Sequence, residues 1–400
     1  MGRQKPAGPA RNTKARPIRA AIATNRAPER RAAPNSQPSI APKPASGTAD
    51  PQALVVSHWF DSGDHGEPYT ATVRLTGRRV GASGRLGPGD TFAQEETVDG
   101  VVPGTGPVSL TTWVYGVAQA EWEVTAELVG PPGRTGGRPF DGRGRPRVPL
   151  PRAAWSWRRW ALTDGPAGPI KTRWALLAPL APSPAVLPGA FTALAVIAIV
   201  VAVVSQAAIL AQRDLAVEQG LLVTALALVA GLLGAKFWYM ALKARPWRET
   251  IGQGWSVDGF LVAAPIVAIM ASLAVDVPIG SYLDATAPGI FLAVAIGRVG
   301  CFVTGCCAGR CTVSRWGVWS SDRRVGARRI PTQLLESSIG MVLGVVSVLA
   351  VVNPVAGVDG ASFVITLAIY GLARQFLLRL RAEARPFSWR RGRLATQGRP

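Results

Sequence analysis

Histidine is almost missing from this chain: of 400 residues only His58 and His65 carry an imidazole. The residues after them must therefore perform any proton transfer without a histidine base. The two histidines stand near Asp61 and Asp64, but no ligand spacing matches a known pattern, so both are expected to be polar loop residues and no metal or cofactor is expected. Acidic residues are scarce as well, 24 against 44 Lys and Arg, leaving a formal charge of +20. In the first fifty residues only Glu29 and Asp50 are acidic, against ten Lys or Arg and eight Pro. So little apolar content cannot offset the entropy of ordering, and residues 1–50 are expected to be a disordered basic tail. That tail lacks an apolar h-region, so no secretory signal peptide is expected in it.

A chain this basic could bind nucleic acid, because clustered Lys and Arg attract phosphate backbones. Here the basic residues flank apolar spans and are not interleaved with stacking aromatics, which favours anionic lipid headgroups and leaves nucleic acid unexpected. Residues 51–130 alternate with period two in short runs, such as Tyr69 to Leu75, Ser109 to Tyr115 and Ala120 to Val129, separated by Gly and Pro. This pattern predicts a small antiparallel β-sandwich. Residues 131–187, rich in Gly, Pro, Arg and Trp, read as a linker along a membrane surface. Trp155, Trp157, Trp160 and Trp174 alternate there with Arg152, Arg158, Arg159 and Arg173, as suits the headgroup boundary.

From residue 188 to 381 six apolar segments follow, at about 189–211, 220–242, 259–275, 284–307, 333–352 and 361–380. Each is long enough to cross a bilayer, so the fold class is a polytopic α-helical membrane bundle of about six spans, preceded by the β-sandwich and the basic tail. Residues 382–400 form a second basic tail. Loops after the odd spans carry Asp214, Glu218, Asp276, Asp284 and Asp359, whereas those after the even spans are rich in Lys and Arg, up to the tail from Arg379. The positive-inside rule then places both termini, and the amino-terminal tail, in the cytoplasm.

Five ionisable residues lie in or at the ends of these spans toward one membrane face: Lys236, Asp258, Arg298, Glu336 and Arg374. Snorkelling could account for any one of them, but five at one depth predict a pocket for an anionic headgroup, with three basic groups against two acidic ones. The stretch Gly297 to Arg310 is the richest, setting Arg298 among Cys301, Cys306 and Cys307, with Cys311 just beyond. On a continuous helix these thiols would scatter around the axis, and only an unwound end near Gly305 to Arg310 could gather them. Small packing residues, redox or soft-metal chemistry, and direct catalysis are the readings open for them.

Residues 220–381 resemble the prolipoprotein diacylglyceryl transferases, membrane enzymes that lipidate bacterial lipoproteins. Gly231-Leu-Leu-Gly-Ala-Lys-Phe-Trp-Tyr239 is similar to the family's second-span segment, where the position of Lys236 is usually arginine. Gly254-Trp-Ser-Val-Asp-Gly259 resembles its Gly-Gly-x-Ser-Phe-His-Gly-Gly run, with Asp258 in the place of the histidine. Gly297 to Arg310 resembles the signature Gly-Arg-Ile-Gly-Asn-Phe-x-Asn-Gly-Glu, with Arg298 at the lipid-binding arginine and Cys301, Thr304 and Cys306 replacing its asparagines and glutamate. Ile330-Pro-Thr-Gln-Leu-Leu-Glu336 and Tyr370-Gly-Leu-Ala-Arg374 resemble two later motifs, all in collinear order.

The resemblance implies transfer of diacylglyceryl from phosphatidylglycerol, or another anionic phospholipid, to the thiol of a prolipoprotein lipobox peptide in the bacterial plasma membrane, without a cofactor. Arg298 and Arg374 would hold the phosphate with Lys236 in support, and Gly300, Gly305 and Gly309 belong to the substrate-binding signature. Glu336 and Gln333 would orient these groups, while Asp258, Glu336, Tyr370 and Arg374 are the catalytic candidates. It also implies an amino end outside the cytoplasm, against the charge bias. Two other functions stay open: a cysteine-dependent redox or metal-handling protein, and an inactive anchor presenting the sandwich to a partner.

Overall fold

The structure is a computed structural model describing residues 52–82, 87, 89–129, 148–149, 151–156, 161–181, 183–243, 254–353 and 358–382. Residues 1–50 and the carboxyl tail from 383, with the expectations made for them, fall outside the described residues.

Alternating apolar residues build the amino-terminal half. Strands β1 (Gln52–Asp61), β2 (Tyr69–Arg79), β3 (Thr91–Val101), β4 (Pro107–Val117) and β5 (Glu121–Val129) pair antiparallel, β1 with β4 and β2 with both β3 and β5. In β2 the residues Ala71, Val73 and Leu75 face inward while the intervening ones stay partly or fully exposed, as period two dictates. Leu54, Val56, Phe60, Val108, Leu110, Trp122 and Val124 complete one apolar core. Trp122 is fully buried and its indole N–H donates to the Ala118 carbonyl at 3.2 Å, so the large ring is buried without an orphaned donor.

The stretch read as a linker contributes strands. β6 (Val148–Pro149) and β9 (Ile170–Lys171) pair with β5, β7 (Pro151–Ser156) pairs with β8 (Ala161–Ala167), and β10 (Arg173–Trp174) joins β1. Trp174 is exposed. Trp157 and Trp160 lie outside the described residues.

The first sheet also recruits two strands from far along the chain, β11 (Val318–Ser321) and β12 (Val325–Arg329), giving the order β10-β1-β4-β12-β11. Val325 and Gly326 of β12 register with Leu110 and Ser109 of β4. Gly326 permits this approach: a Cβ there would collide with the Ser109 hydroxyl and sit 2.8 Å from the Trp319 ring. Ala327 enters the sandwich core, and Arg324, at the β11–β12 turn, pairs with Glu96 of β3.

Among the described residues six helices are long and apolar enough to cross a membrane: α1 (Ala190–Gln212), α2 (Val217–Lys243), α3 (Val257–Ala274), α4 (Ile279–Val303), α5 (Thr332–Val352) and α6 (Ala361–Leu378). Leu233, Phe237, Leu261, Met270, Leu372 and Phe376 are exposed, the arrangement expected where the outer solvent is lipid. Small residues let the helices close: Gly234 of α2 and Gly259 of α3 approach so tightly that a Cβ on Gly259 would strike the Gly234 carbonyl. Gln206, Thr224, Tyr282 and Thr286 hydrogen-bond one another at 2.7–2.9 Å, tying α1, α2 and α4 together inside the bundle.

The fourth span differs from its expected limits, 279–303 instead of 284–307. Asp284 is not a loop charge: it is 4% exposed and accepts from the backbone N–H groups of Gly360 (2.8 Å) and Phe363 (3.0 Å), capping the start of α6. At its other end α4 unwinds before Cys306, because Gly305 takes φ +69.

His58, on β1 beside Phe60, is pushed down to about 4 by burial. Its folded pKa lies below the unfolded value of about 6.5, so the unfolded chain binds the extra proton between those limits. Folding stability of the sandwich should be full above about pH 6.5 and fall toward pH 4, by about 3 kcal/mol. Thermal unfolding of the full chain across that range, followed by tryptophan fluorescence, should show a flatter profile for His58→Gln.

Candidate functional site

Glu336 lies one turn into α5, where its side chain is 1% exposed. A carboxylate so buried is costly unless each oxygen finds donors. Four arrive. Oε1 accepts from the Tyr370 hydroxyl at 2.8 Å and from Arg374 Nη1 and forms an ion pair with Arg298 Nη2 at 3.1 Å, while Oε2 accepts from Arg381 Nη2 at 2.7 Å. Arg298 comes from the last two turns of α4, and Tyr370 and Arg374, four apart, share one face of α6. Arg374 Nη1 also reaches the Tyr370 oxygen at 3.2 Å. Three guanidinium groups around one carboxylate leave an excess of two positive charges where burial weakens screening by solvent.

Arg381 was hidden in the basic carboxyl tail. It lies beyond the end of α6 at Leu378, where helical spacing carries no signal. The chain folds back past α6 so that Gly309 and Arg381 form a β-bridge, with Arg310 N donating to Leu380 O and Ala382 N to Ala308 O, both at 3.0 Å. Gly309 permits the packing there, since a Cβ would collide with the Ile330 carbonyl. The same segment continues to Cys311, which bridges to Arg329 of β12.

Other expected site residues take different places. Gln333 is 2% exposed and donates to the Cys306 carbonyl at 2.9 Å, so it fixes the loop after α4 and presents nothing to a headgroup. A Cβ on Gly300 would lie 3.4 Å from Leu194 and Phe191 of α1, and one on Gly305 would meet the backbone of Ser321 and Arg323; both serve close packing. Lys236 and Asp258 stand apart from the Glu336 cluster. Lys236 Nζ lies 5.1 Å from the Trp255 ring centroid, a cation–π contact, and Asp258 is exposed at the start of α3.

Arg374 joins the two groups. A cavity of about 620 Å³ opens between α2, α3 and α6, lined by Tyr239, Trp255, Asp258, Leu261, Arg374 and Leu378. Its wall is apolar along the helices and charged at Arg374 and Asp258, the composition of a site for an amphipathic anion.

The thiols divide as well. Cys301 Sγ lies 3.8 Å from Arg298 Nη1, and Cys306 Sγ donates to the Cys301 carbonyl oxygen at 3.6 Å, whereas Cys311 packs against the sandwich core. The bond to Cys301 pushes the Cys306 thiol up, and the bond to Cys306 together with burial pushes Cys307 up further. Among the described residues no group of three or more His, Cys, Asp or Glu is placed to hold a metal ion.

The sequence profile described as prolipoprotein diacylglyceryl transferase matches residues 189–396. A phosphatidylglycerol–prolipoprotein diacylglyceryl transferase of Clostridium tetani is 26% identical over 167 residues, covering 40% of this chain and 66% of that protein. One from Clostridium perfringens is 28% identical over 134 residues, 30% of this chain and 51% of the relative, and one from Dehalococcoides mccartyi is 36% identical over 89 residues, 21% and 34%. The chain thus spans between about half and two thirds of the first two relatives. No solved structure matches it.

Removing the Glu336 carboxylate should strand Arg381, whose Nε already has no partner among the described residues. Glu336→Ala is expected to cost about 3–5 kcal/mol, the penalty for breaking a buried pair by removing one member. Thermal unfolding of the detergent-solubilised protein measures it, and Glu336→Gln, which retains the shape without the charge, should fall between.

Proposed function

Because the chain belongs to the prolipoprotein diacylglyceryl transferase family, with residues 189–396 matched, we propose that it moves the diacylglyceryl group of phosphatidylglycerol onto the cysteine thiol of a prolipoprotein lipobox. The observation that carries this reading is the clasp of Arg298, Arg374 and Arg381 on Glu336, with Arg374 opening onto the cavity. A phospholipid whose tails run along α3 and α6 would bring its phosphate to Arg374 first. Arg298 would complete a bidentate or two-arginine hold, since the fork of a guanidinium fits phosphate oxygens.

The acceptor sulfur then attacks the glycerol carbon bonded to the phosphate oxygen. A C–S bond forms, the C–O bond breaks, and the electron pair leaves on glycerol phosphate, whose growing charge the arginines stabilise. Glu336 holds those guanidinium groups in place before the lipid arrives, so little reorganisation is needed at the moment of reaction. Tyr370, bonded to the same carboxylate oxygen as Arg374, fixes the edge of the cradle. Asp258 faces the cavity at the family's histidine position and is the group on hand to receive the thiol proton through solvent. Lys236, over Trp255, adds positive potential at the mouth.

The sandwich lies at the same end of the bundle as this site: Leu187 N, just before α1, donates to Val303 O at 2.8 Å, and β11 and β12 follow α4. Acceptor polypeptides would therefore approach from the side that carries the sandwich. Readings in which the cysteines alone or an inert anchor define the function draw no support from the family match.

Replacing Arg298 with Gln should lower lipid transfer by about 10²-fold or more, the scale for loss of one group that stabilises developing charge. Transfer to a lipobox peptide in phosphatidylglycerol-containing proteoliposomes measures it. Membrane insertion should be unchanged, and full activity of the variant would reject the assignment.

A further inference from the structure

Two thiols unused by the proposed transfer occupy a motif that makes them meet. α4 ends at Val303, Thr304 is its cap, and Gly305 follows at φ +69. Gly305 N donates to Phe302 O at 3.3 Å, and Cys306 N donates to Cys301 O at 3.0 Å. These bonds, from the first and second residues past the cap, are those of a Schellman ending, in which the side chain two past the cap lies against the one three before it. Cys306 and Cys301 hold those two positions, and the Cys306 thiol lies back over the end of the helix, donating to the Cys301 carbonyl oxygen at 3.6 Å. Both are free thiols; Cys301 is buried and Cys306 partly exposed.

We propose that Cys301 and Cys306 form a redox-active dithiol that closes reversibly into a disulfide when it meets an oxidant of the disulfide class. The exposed partner reacts first: the Cys306 sulfur attacks R–S–S–R, forming a mixed disulfide and releasing one R–SH. The Cys301 sulfur then attacks the Cys306 sulfur, expelling the second R–SH. Two cysteine protons end on the two released thiols, and two electrons pass from the cysteines to the reagent. The neighbouring cysteines are worse partners. Cys307 is adjacent in sequence to Cys306, where a disulfide must strain the backbone, and Cys311 packs into the sandwich core.

The pair sits where its state reaches the arginine cluster. Cys301 Sγ is the sulfur beside Arg298, and the Cys306 carbonyl is the acceptor that holds Gln333. Closing the disulfide draws the first sulfur toward the second, loosening Arg298 on the side opposite Glu336.

The test uses the full-length protein in detergent, incubated with oxidised glutathione at mildly alkaline pH, then alkylated and mapped by mass spectrometry. The expected result is a Cys301–Cys306 cross-link with Cys307 and Cys311 still alkylated, and return of all four thiols on treatment with a phosphine. Cys301→Ser should stop at a glutathione adduct on Cys306, whereas Cys311→Ser should leave the cross-link intact. Four alkylated thiols after oxidation, or a Cys306–Cys307 cross-link instead, would overturn the proposal. Because sulfurs are counted and no lipid turnover is measured, this outcome is separate from that of the Arg298→Gln assay.

Discussion

A single carboxylate sets the terms for the membrane half. Without Glu336, the guanidinium groups of Arg298, Arg374 and Arg381 would repel one another in a poorly screened interior, and the helices that carry them would separate or recruit counter-ions. With it, α4, α5, α6 and the segment beyond α6 converge on one point and still leave positive charge uncompensated. Stability and function are therefore not independent here. The group that makes the cluster foldable is also the one that keeps its arginines aimed before a phosphate arrives.

The sandwich is built into this arrangement and is not merely tethered to it. One edge of β12 pairs with β4 at Val325 and Gly326 and, further along, meets the segment at Cys311 and Thr312, which in turn leads to the Gly309–Arg381 bridge. A ladder of backbone hydrogen bonds thus connects the soluble core to the third arginine. Trp319 Nε1 reinforces it by donating to the Pro107 carbonyl at 3.0 Å.

What could be read in the sequence follows from which physical signals are local. Six spans were legible because apolar runs of that length have one outcome in a bilayer, and the strands of the first half were legible from period two. Rotation about the bundle axis was not legible. Asp258 lines the cavity beside Arg374, and Lys236 lies over the Trp255 ring of its wall; neither joins the clasp. Strands β11 and β12 were obscured because an Arg-rich loop reads as a positive flank; only the partner strand, far away in the chain, makes it a sheet. Arg381 was obscured for the same reason. The meeting of Cys301 and Cys306 depends on how a helix stops, a property of Gly305 and its φ, which periodicity cannot report.

The long-range pairing of β4 with β12 imposes an order on biogenesis. Ribosomes deliver β4 early, but the residues that cover its edge come after four apolar helices, as the 212-residue separation of Trp319 from Pro107 illustrates. During that interval the strand presents unpaired backbone donors and acceptors to whatever is nearby. The nascent domain therefore waits incomplete at the membrane until its last strands emerge, a period in which a chaperone or the translocation machinery has reason to shield it.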